Sequence, residues 1–305
     1  MFKRVHERLK HTPQGLVLLL MALPFVALII AFSYVPLFGW IYAFTDYRPG
    51  MQFSDLSFTG VRSFVMFFFD SRGFLRVMRN TMVMSGLSLI STPLPVIFAI
   101  LLNEIRNTRY RKLVQVLTTL PNFISWIIVF SLCFAIFASN GMLNMTLVRL
   151  GFEPIPTILA NNEAVWGFQW ALGTWKSLGW GAIIYIAAIA GIDTQLYEAA
   201  EIDGANRFQR IIHVTLPGLS NTYIVLLLLG IGNILRNGFE QFYVFYNPLV
   251  ADRIQVLDYY VYRVGLLMND YPMSTALGMS MTIISLTILF LANGISKKVR
   301  GDAIF

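Results

Sequence analysis

Gly191-Ile-Asp-Thr-Gln-Leu-Tyr-Glu-Ala-Ala-Glu-Ile-Asp-Gly-Ala-Asn-Arg-Phe-Gln-Arg-Ile-Ile-His-Val-Thr-Leu-Pro217 separates two long apolar runs, and the architecture turns on how these 27 residues are read. Asp193 is placed as an N-cap, and Gln195 to Asp203 are mostly helix-compatible. Gly204 can take the left-handed conformation that closes a helix, and Asp203 or Asn206 can start a second short helix that Pro217 ends. The expectation is two short helices joined at a glycine, in a connection far longer than a turn between adjacent spans needs.

Outward from this segment the chain is dominated by apolar sequence. Of 305 residues 56% are hydrophobic and 13% charged, with a mean hydropathy of +0.64, so lipid is the expected solvent for most of the chain. A hydrocarbon core about 30 Å thick needs roughly 20 helical residues at about 1.5 Å each. Six stretches reach that length: about 15–44, 77–103, 113–137, 164–191, 219–245 and 275–296. The fourth is interrupted by Lys176 and by Gly173, Gly179 and Gly181. The second and third contain Pro93, Pro95 and Pro121, which are tolerated where neighbouring helices satisfy the freed backbone groups. The first run follows Lys3, Arg4, Arg8 and Lys10 but is about twice the length of a signal-peptide core, so it reads as a span.

The basic residues fix an expected orientation. With the N-terminus inside, thirteen Lys and Arg fall on cytoplasmic segments, including Arg106, Arg109, Arg111 and Lys112, Arg207 and Arg210, and Lys297, Lys298 and Arg300. Eight, Arg48, Arg62, Arg72, Arg76, Arg79, Arg149, Arg253 and Arg263, are spread over longer outer segments, so the bias favours both termini inside. The resulting plan is a cytoplasmic segment 1–14, a membrane domain 15–296 with the loop 192–217, and a cytoplasmic tail 297–305. Outside, residues 45–76 carry Phe58, Phe64, Phe67, Phe68 and Phe69, suited to an interfacial helix, and 246–274 can fold as an outer cap.

Several chemistries are excluded. The net charge of +7 comes from short clusters between apolar runs, which speaks against nucleic acid. Cys133, the only cysteine, allows no intramolecular disulfide, and the three histidines form no His-Glu-x-x-His pattern. There is no Gly-x-Ser-x-Gly elbow, and in Gly173-Thr-Trp-Lys-Ser177 a tryptophan occupies the place where a phosphate loop has glycine. The chain is therefore expected not to be an enzyme.

The run Glu198-Ala199-Ala200, three residues, Gly204, nine residues, then Val214-Thr215-Leu216-Pro217 resembles the EAA loop of permease subunits in binding-protein-dependent ABC importers. Val214 stands where isoleucine is usual. Asn103-Glu104-Ile105-Arg106, Leu120 to Trp126, Trp175 to Gly181, Gly238 to Gln241 and Tyr246-Asn247-Pro248 extend the likeness to the oligosaccharide branch related to maltose permeases. The resemblance implies an all-α membrane protein with the type I ABC importer permease fold, N-in and C-in, in a bacterial cytoplasmic membrane. It implies that the first short helix is a coupling helix, with Glu198, Ala199, Ala200, Asp203, Gly204, Leu216 and Pro217 serving the ATPase. The implied partners are a second homologous permease, two ABC ATPase subunits that use ATP and Mg, and an extracytoplasmic solute-binding protein. No cofactor is expected on this chain itself.

Charged residues inside spans are disfavoured by about 2.5–3.5 kcal/mol and mark candidate pathways. Arg236 and Glu240 lie four apart in the fifth run, as on one helical face, and Lys176 sits between Trp175 and Trp180 in the fourth. Arg236, Asn237, Glu240 and Tyr243, with Lys176, Trp175 and Asn122, are the expected lining of a translocation route. Aromatic faces stack on sugar rings, and amides and charges bond hydroxyls or carboxylates. The two cations make an acidic, uronate-containing oligosaccharide an attractive cargo, although Glu240 can neutralise one. Three alternatives stay open. Arg236 and Glu240 can form a buried structural pair while Lys176 caps a helix break. The cargo can be a non-sugar solute. A stand-alone secondary transporter or channel is the third, although six spans make only half of a typical alternating-access unit.

Overall fold

The computed structural model describes residues 14–69 and 71–300. The basic cluster Lys3 to Lys10, the tail beyond residue 300 and the side chains of Phe67, Phe68, Phe69, Arg72 and Arg300 lie outside the described residues. Helices account for nearly all regular structure, and a single bridge, Thr45 to Phe58, is the extended pairing among the described residues. Five helical segments are long and apolar enough to cross a membrane, and a sixth pairs Val165–Ala190 with Thr194–Ile202 across a bend of 70°.

The described residues fall into two compact units, within Met1–Phe67 plus Val264–Met279 and within Phe68–Arg263 plus Ser280–Phe305. In the first, α1 (Gln14–Ile29) continues through a π turn, Ile30–Tyr34, into a 3-10 stretch, Val35–Phe44. The widened turn precedes Pro36, whose missing N–H could not serve an α-helical carbonyl. The most apolar window of this segment is entirely unburied, as lipid-facing side chains are. Ala43, Ala276 and Met279 pack there with Trp40, Phe44 and Phe64. The short helix α2 (Arg62–Phe69) follows.

The second unit holds the sites. α3 (Ser71–Ile90) and α4 (Pro93–Asn103) meet at Ser91 and Thr92, whose hydroxyls donate to the carbonyls of Leu87 (2.7 Å) and Leu89 (2.8 Å). The Leu89 carbonyl, four residues before Pro93, is one that the proline cannot serve, and the Thr92 hydroxyl bonds it. The third apolar run is broken: α5 (Thr108–Thr119), a 3-10 turn Leu120–Phe123 containing Pro121, then α6 (Trp126–Phe137) and α7 (Met142–Arg149). α8 (Val165–Ala190) is unbroken and central, packing on α3, α4 and α5. Its glycines are contacts rather than interruptions. A Cβ on Gly179 would stand 2.2 Å from the Thr118 carbonyl oxygen, so only glycine lets α8 approach α5 this closely.

Two further differences from the sequence reading concern the fifth run. Pro217 does not end a helix. From α10 (Arg207–Arg210) the chain passes through a π turn, Ile211–Thr215, into α11 (Leu216–Gly232), and the widened turn immediately before Pro217 carries the helix past a residue that has no N–H to give. The run also stops being helical at Gly232. Residues 233–238 are irregular and α12 (Phe239–Phe245) starts afresh, so Arg236 and Glu240 do not share a helical face. Gly238 has φ +90°, a conformation that closes the break and that a side chain would strain.

The segment 246–274 forms α13 (Ala251–Ile254) and α14 (Leu257–Tyr262). Two fully buried polar residues of α3 hold it down: Asn80 Nδ2 donates to the carbonyls of Asp252 (2.9 Å) and Gln255 (3.0 Å), and Thr81 Oγ1 accepts the Leu257 N–H (2.9 Å). One apolar core gathers Val129, Phe242, Phe245, Val256 and Tyr259, and a second Val96, Ala99, Ala182, Tyr185 and Leu219. The last helix, α15 (Tyr271–Arg300), contributes residues to both units.

Candidate functional site

The segment between α8 and α11 is built from local signals. Asp193 caps α9 (Thr194–Ile202) by accepting the Gln195 N–H at 2.9 Å. Gly204 takes φ +76° at the turn, and Asn206 caps α10 in a reciprocal capping box with Gln209. Tertiary bonds then hold the two short helices: Tyr197 Oη pairs with Thr215 Oγ1 at 2.9 Å, Arg210 with Glu201 at 3.3 Å, and Arg207 with both the carboxylate and the carbonyl of Glu104. Glu198 and Ala199 are exposed, while Ala200 is half-buried. The segment also exposes Ile202 (86%) and Phe208 (69%), large apolar groups that the spacing of the EAA residues did not single out. Their signal was present, since an apolar residue beside a turn glycine in a polar loop has no core to enter.

A cavity of about 550 Å³ opens within the second unit, between α3, α8, the 3-10 turn at Pro121 and the break after Gly232. Of the expected pathway residues Asn122, Lys176, Arg236 and Asn237 line it, whereas Trp175, Glu240 and Tyr243 do not. Trp175 is nearly half-exposed and sits one position from Lys176, which turns it away on a helix. Tyr243 belongs to an aromatic cluster, 5.1 Å from Phe239 and 5.4 Å from Tyr262. None of the ion pairs among the described residues joins Arg236 to Glu240. Lys176 has a double role: its Nζ donates to the Asn122 carbonyl at 2.7 Å, capping the break in the third run, and stands 5.5 Å over the Trp126 ring.

Most of the remaining wall escaped the sequence reading. Gln241 Nε2 donates to the backbone and side-chain oxygens of Gln169, both at 2.8 Å, and Trp170 Nε1 donates to Ser91 Oγ. Ser85 accepts from Asn237 Nδ2 at 2.9 Å and donates to the Ile234 carbonyl. The available signal was polar or small residues at helical spacing, Ser85, Ser88 and Thr92 on one run and Gln169, Gly173 and Ser177 on another, all lining the cavity. Asp258 of α14 accepts the N–H groups of Asn237 (2.8 Å) and Gly238 (3.1 Å). Burial pushes the Asp258 carboxyl above the ordinary carboxylate range, against the opposite pull of those two N–H groups and of Arg236. The arrangement offers ring faces, amide and hydroxyl groups and two cations, a set suited to binding and passing a polar solute.

A model of the family described as binding-protein-dependent transport system inner membrane component matches residues 91–301. The polygalacturonan/rhamnogalacturonan transport system permease protein YteP of Bacillus subtilis (strain 168) is 38% identical over 290 residues, 94% of this chain and 90% of that protein. Protein LplB of the same organism is 37% identical over 292 residues, 94% of this chain and 91% of that one. In a crystal structure of a bacterial alginate ABC transporter in complex with alginate pentasaccharide-bound periplasmic protein, one chain matches with a TM-score of 0.85 at 34% identity, covering 95% of this chain and 97% of that chain.

Proposed function

This chain belongs to the family of binding-protein-dependent transport system inner membrane components, multi-pass proteins of the membrane, and on that premise we propose that it carries an acidic oligosaccharide through the cavity beside α8. The observation that carries this reading is the composition of the wall. Trp126 and Trp170 offer ring faces, Gln169, Asn237 and the serines offer partners for hydroxyls, and Lys176 and Arg236 supply positive charge for carboxylates. The volume of about 550 Å³ lies within the range of about 300–1,000 Å³ usual for ligand sites. The relatives named for polygalacturonan/rhamnogalacturonan and alginate support a uronate cargo.

In this reading the chain pairs with a second permease, receives cargo from an extracytoplasmic binding protein and leaves ATP and Mg to two ATPase subunits. Both termini lie in the cytoplasm, and α9 is the coupling helix, with Glu198 to Ala200, Asp203 and Gly204 at the contact and Leu216 and Pro217 continuing into the span. Exposed Ile202 and Phe208 supply the apolar anchors that such a contact needs. Closure of the ATPases then moves α9, and the permease alternates between inward and outward access.

The test is uptake by the reconstituted transporter of a labelled oligogalacturonide against a neutral oligosaccharide of equal length. The acidic compound is transported in preference, and Gly204→Asp leaves ATP hydrolysis while abolishing uptake. Equal transport of both compounds would remove the acidic cargo. Full uptake without the ATPase subunits would remove the importer.

A further inference from the structure

The break after α11 leaves backbone groups that a helix would have satisfied, and their partners are specific. The N–H groups of Asn233, Ile234 and Arg236 find nearby carbonyls at Gly230 (3.0 Å), Ile231 (3.1 Å) and Asn233 (2.8 Å). Those of Asn237 and Gly238 instead converge on one oxygen of Asp258, twenty residues away, at 2.8 and 3.1 Å. Asp258 is itself anchored, because the neighbouring Leu257 N–H donates to buried Thr81 of α3 at 2.9 Å. On its other side the break is tied by Asn237 Nδ2 to Ser85 Oγ, also of α3, at 2.9 Å. A carboxylate accepting two backbone N–H groups is a strong, charge-assisted clamp.

The clamp has a product. Asn237 Oδ1 is buried with no hydrogen-bond partner among the described residues, and Asn237 lines the cavity. A buried acceptor left open is unfavourable unless something donates to it, and because the atom is covered as it stands, a saccharide hydroxyl serves it only once the Asn237 side chain turns toward the cavity. Arg236, on the same break, lines the cavity without an ion pair among the described residues and feels the charge of Asp258.

We propose that Asp258 is a positioning residue for cargo: it latches the backbone of residues 233–238, which keeps Asn237 and Arg236 in the cavity wall as an acceptor and a cation for saccharide. The cargo half of this proposal rests on the reading of the cavity as a saccharide route. The latch half does not.

Two measurements on the assembled transporter in lipid nanodiscs or proteoliposomes test the halves separately. Hydrogen exchange of the peptide containing Asn237 and Gly238 reads the latch without cargo. Asp258→Ala speeds exchange of these amides about tenfold or more, and Asp258→Asn, whose amide oxygen still accepts, stays within about threefold of the parent. Unchanged exchange in Asp258→Ala, or equal acceleration in both variants, overturns the latch. Uptake of trigalacturonate reads the positioning: Asp258→Ala and Asn237→Ala each raise KM about tenfold while Vmax moves less than about twofold, the separation that loss of binding alone produces. A KM unchanged in Asp258→Ala while exchange accelerates overturns the positioning role. If the parent transporter takes up no trigalacturonate, the acidic cargo falls and the positioning half with it, while the exchange result stands by itself.

Discussion

The α9–α10 segment and the break after α11 are both departures from plain spanning helix, yet they are made differently. The first is assembled from neighbours in sequence: the Asp193 cap, the Gly204 turn and the Asn206–Gln209 box are all completed within four residues. The second is completed by α3 and α14, through Ser85 and Asp258. A motif made of local hydrogen bonds keeps its spacing and is read along the chain. A site made of long-range bonds has no spacing to keep. In the proposed function they separate a docking surface, which must be the same whatever is carried, from a cavity wall, which must fit the cargo.

The contrast breaks most severely at Gly179, where the two kinds of structure share one support. Gly179→Leu places a side chain against the Thr118 carbonyl, with backbone on both sides, and destabilises the permease by about 3 kcal/mol or more. A thermal unfolding midpoint equal to the parent's shows that α5 and α8 part freely, and the packing account then fails. At Ile202, 86% exposed, Ile202→Asp leaves the unfolding free energy of the isolated permease within about 0.5 kcal/mol of the parent. The same change weakens capture of the ATPase by about 2 kcal/mol, read as co-purification and as ATP-driven uptake. Unchanged capture removes this residue from the docking surface.

How far each region was legible follows from the same distinction. Six apolar runs and the loop 192–217 could be read because hydropathy and capping are properties of adjacent residues. The end of the fifth helix could not, although Gly230, Gly232 and Gly238 stood in plain view, because the break is stabilised by a carboxylate twenty residues further on. Pro217 misled for a related reason: a proline breaks a regular α-helix, and the π turn before it widens the helix enough to pass the ring and the missing N–H. Lys176 was weighed as pathway or cap; its bond to the Asn122 carbonyl makes it a cap, made from a position in the cavity wall.

Two smaller effects sharpen the division. Lys176→Met leaves the Asn122 carbonyl without its charged donor, which destabilises by about 1.5–3 kcal/mol and lowers uptake of acidic more than neutral cargo. Equal losses for the two cargoes reduce Lys176 to a cap. The Arg207–Glu104 pair is solvated, its side chains 56% and 28% exposed, so Glu104→Gln shifts stability by about 0.2–1 kcal/mol, and less in high salt. A shift that does not shrink with salt means that the bond to the Glu104 backbone carries the contact.

The turn that passes Pro217 has a mechanical meaning. Arg207–Gly232 is one run of 26 helical residues, about 39 Å long at 1.5 Å per residue. It begins in the segment proposed to dock on the ATPase and ends where the cavity wall leaves the helix. A proline that stopped the chain would have put a joint in this shaft; the wide turn instead keeps it continuous, as passing a push or a twist from one end to the other requires. Substitutions along its middle, touching neither ATPase nor cargo, are then expected to disconnect the engine from the gate.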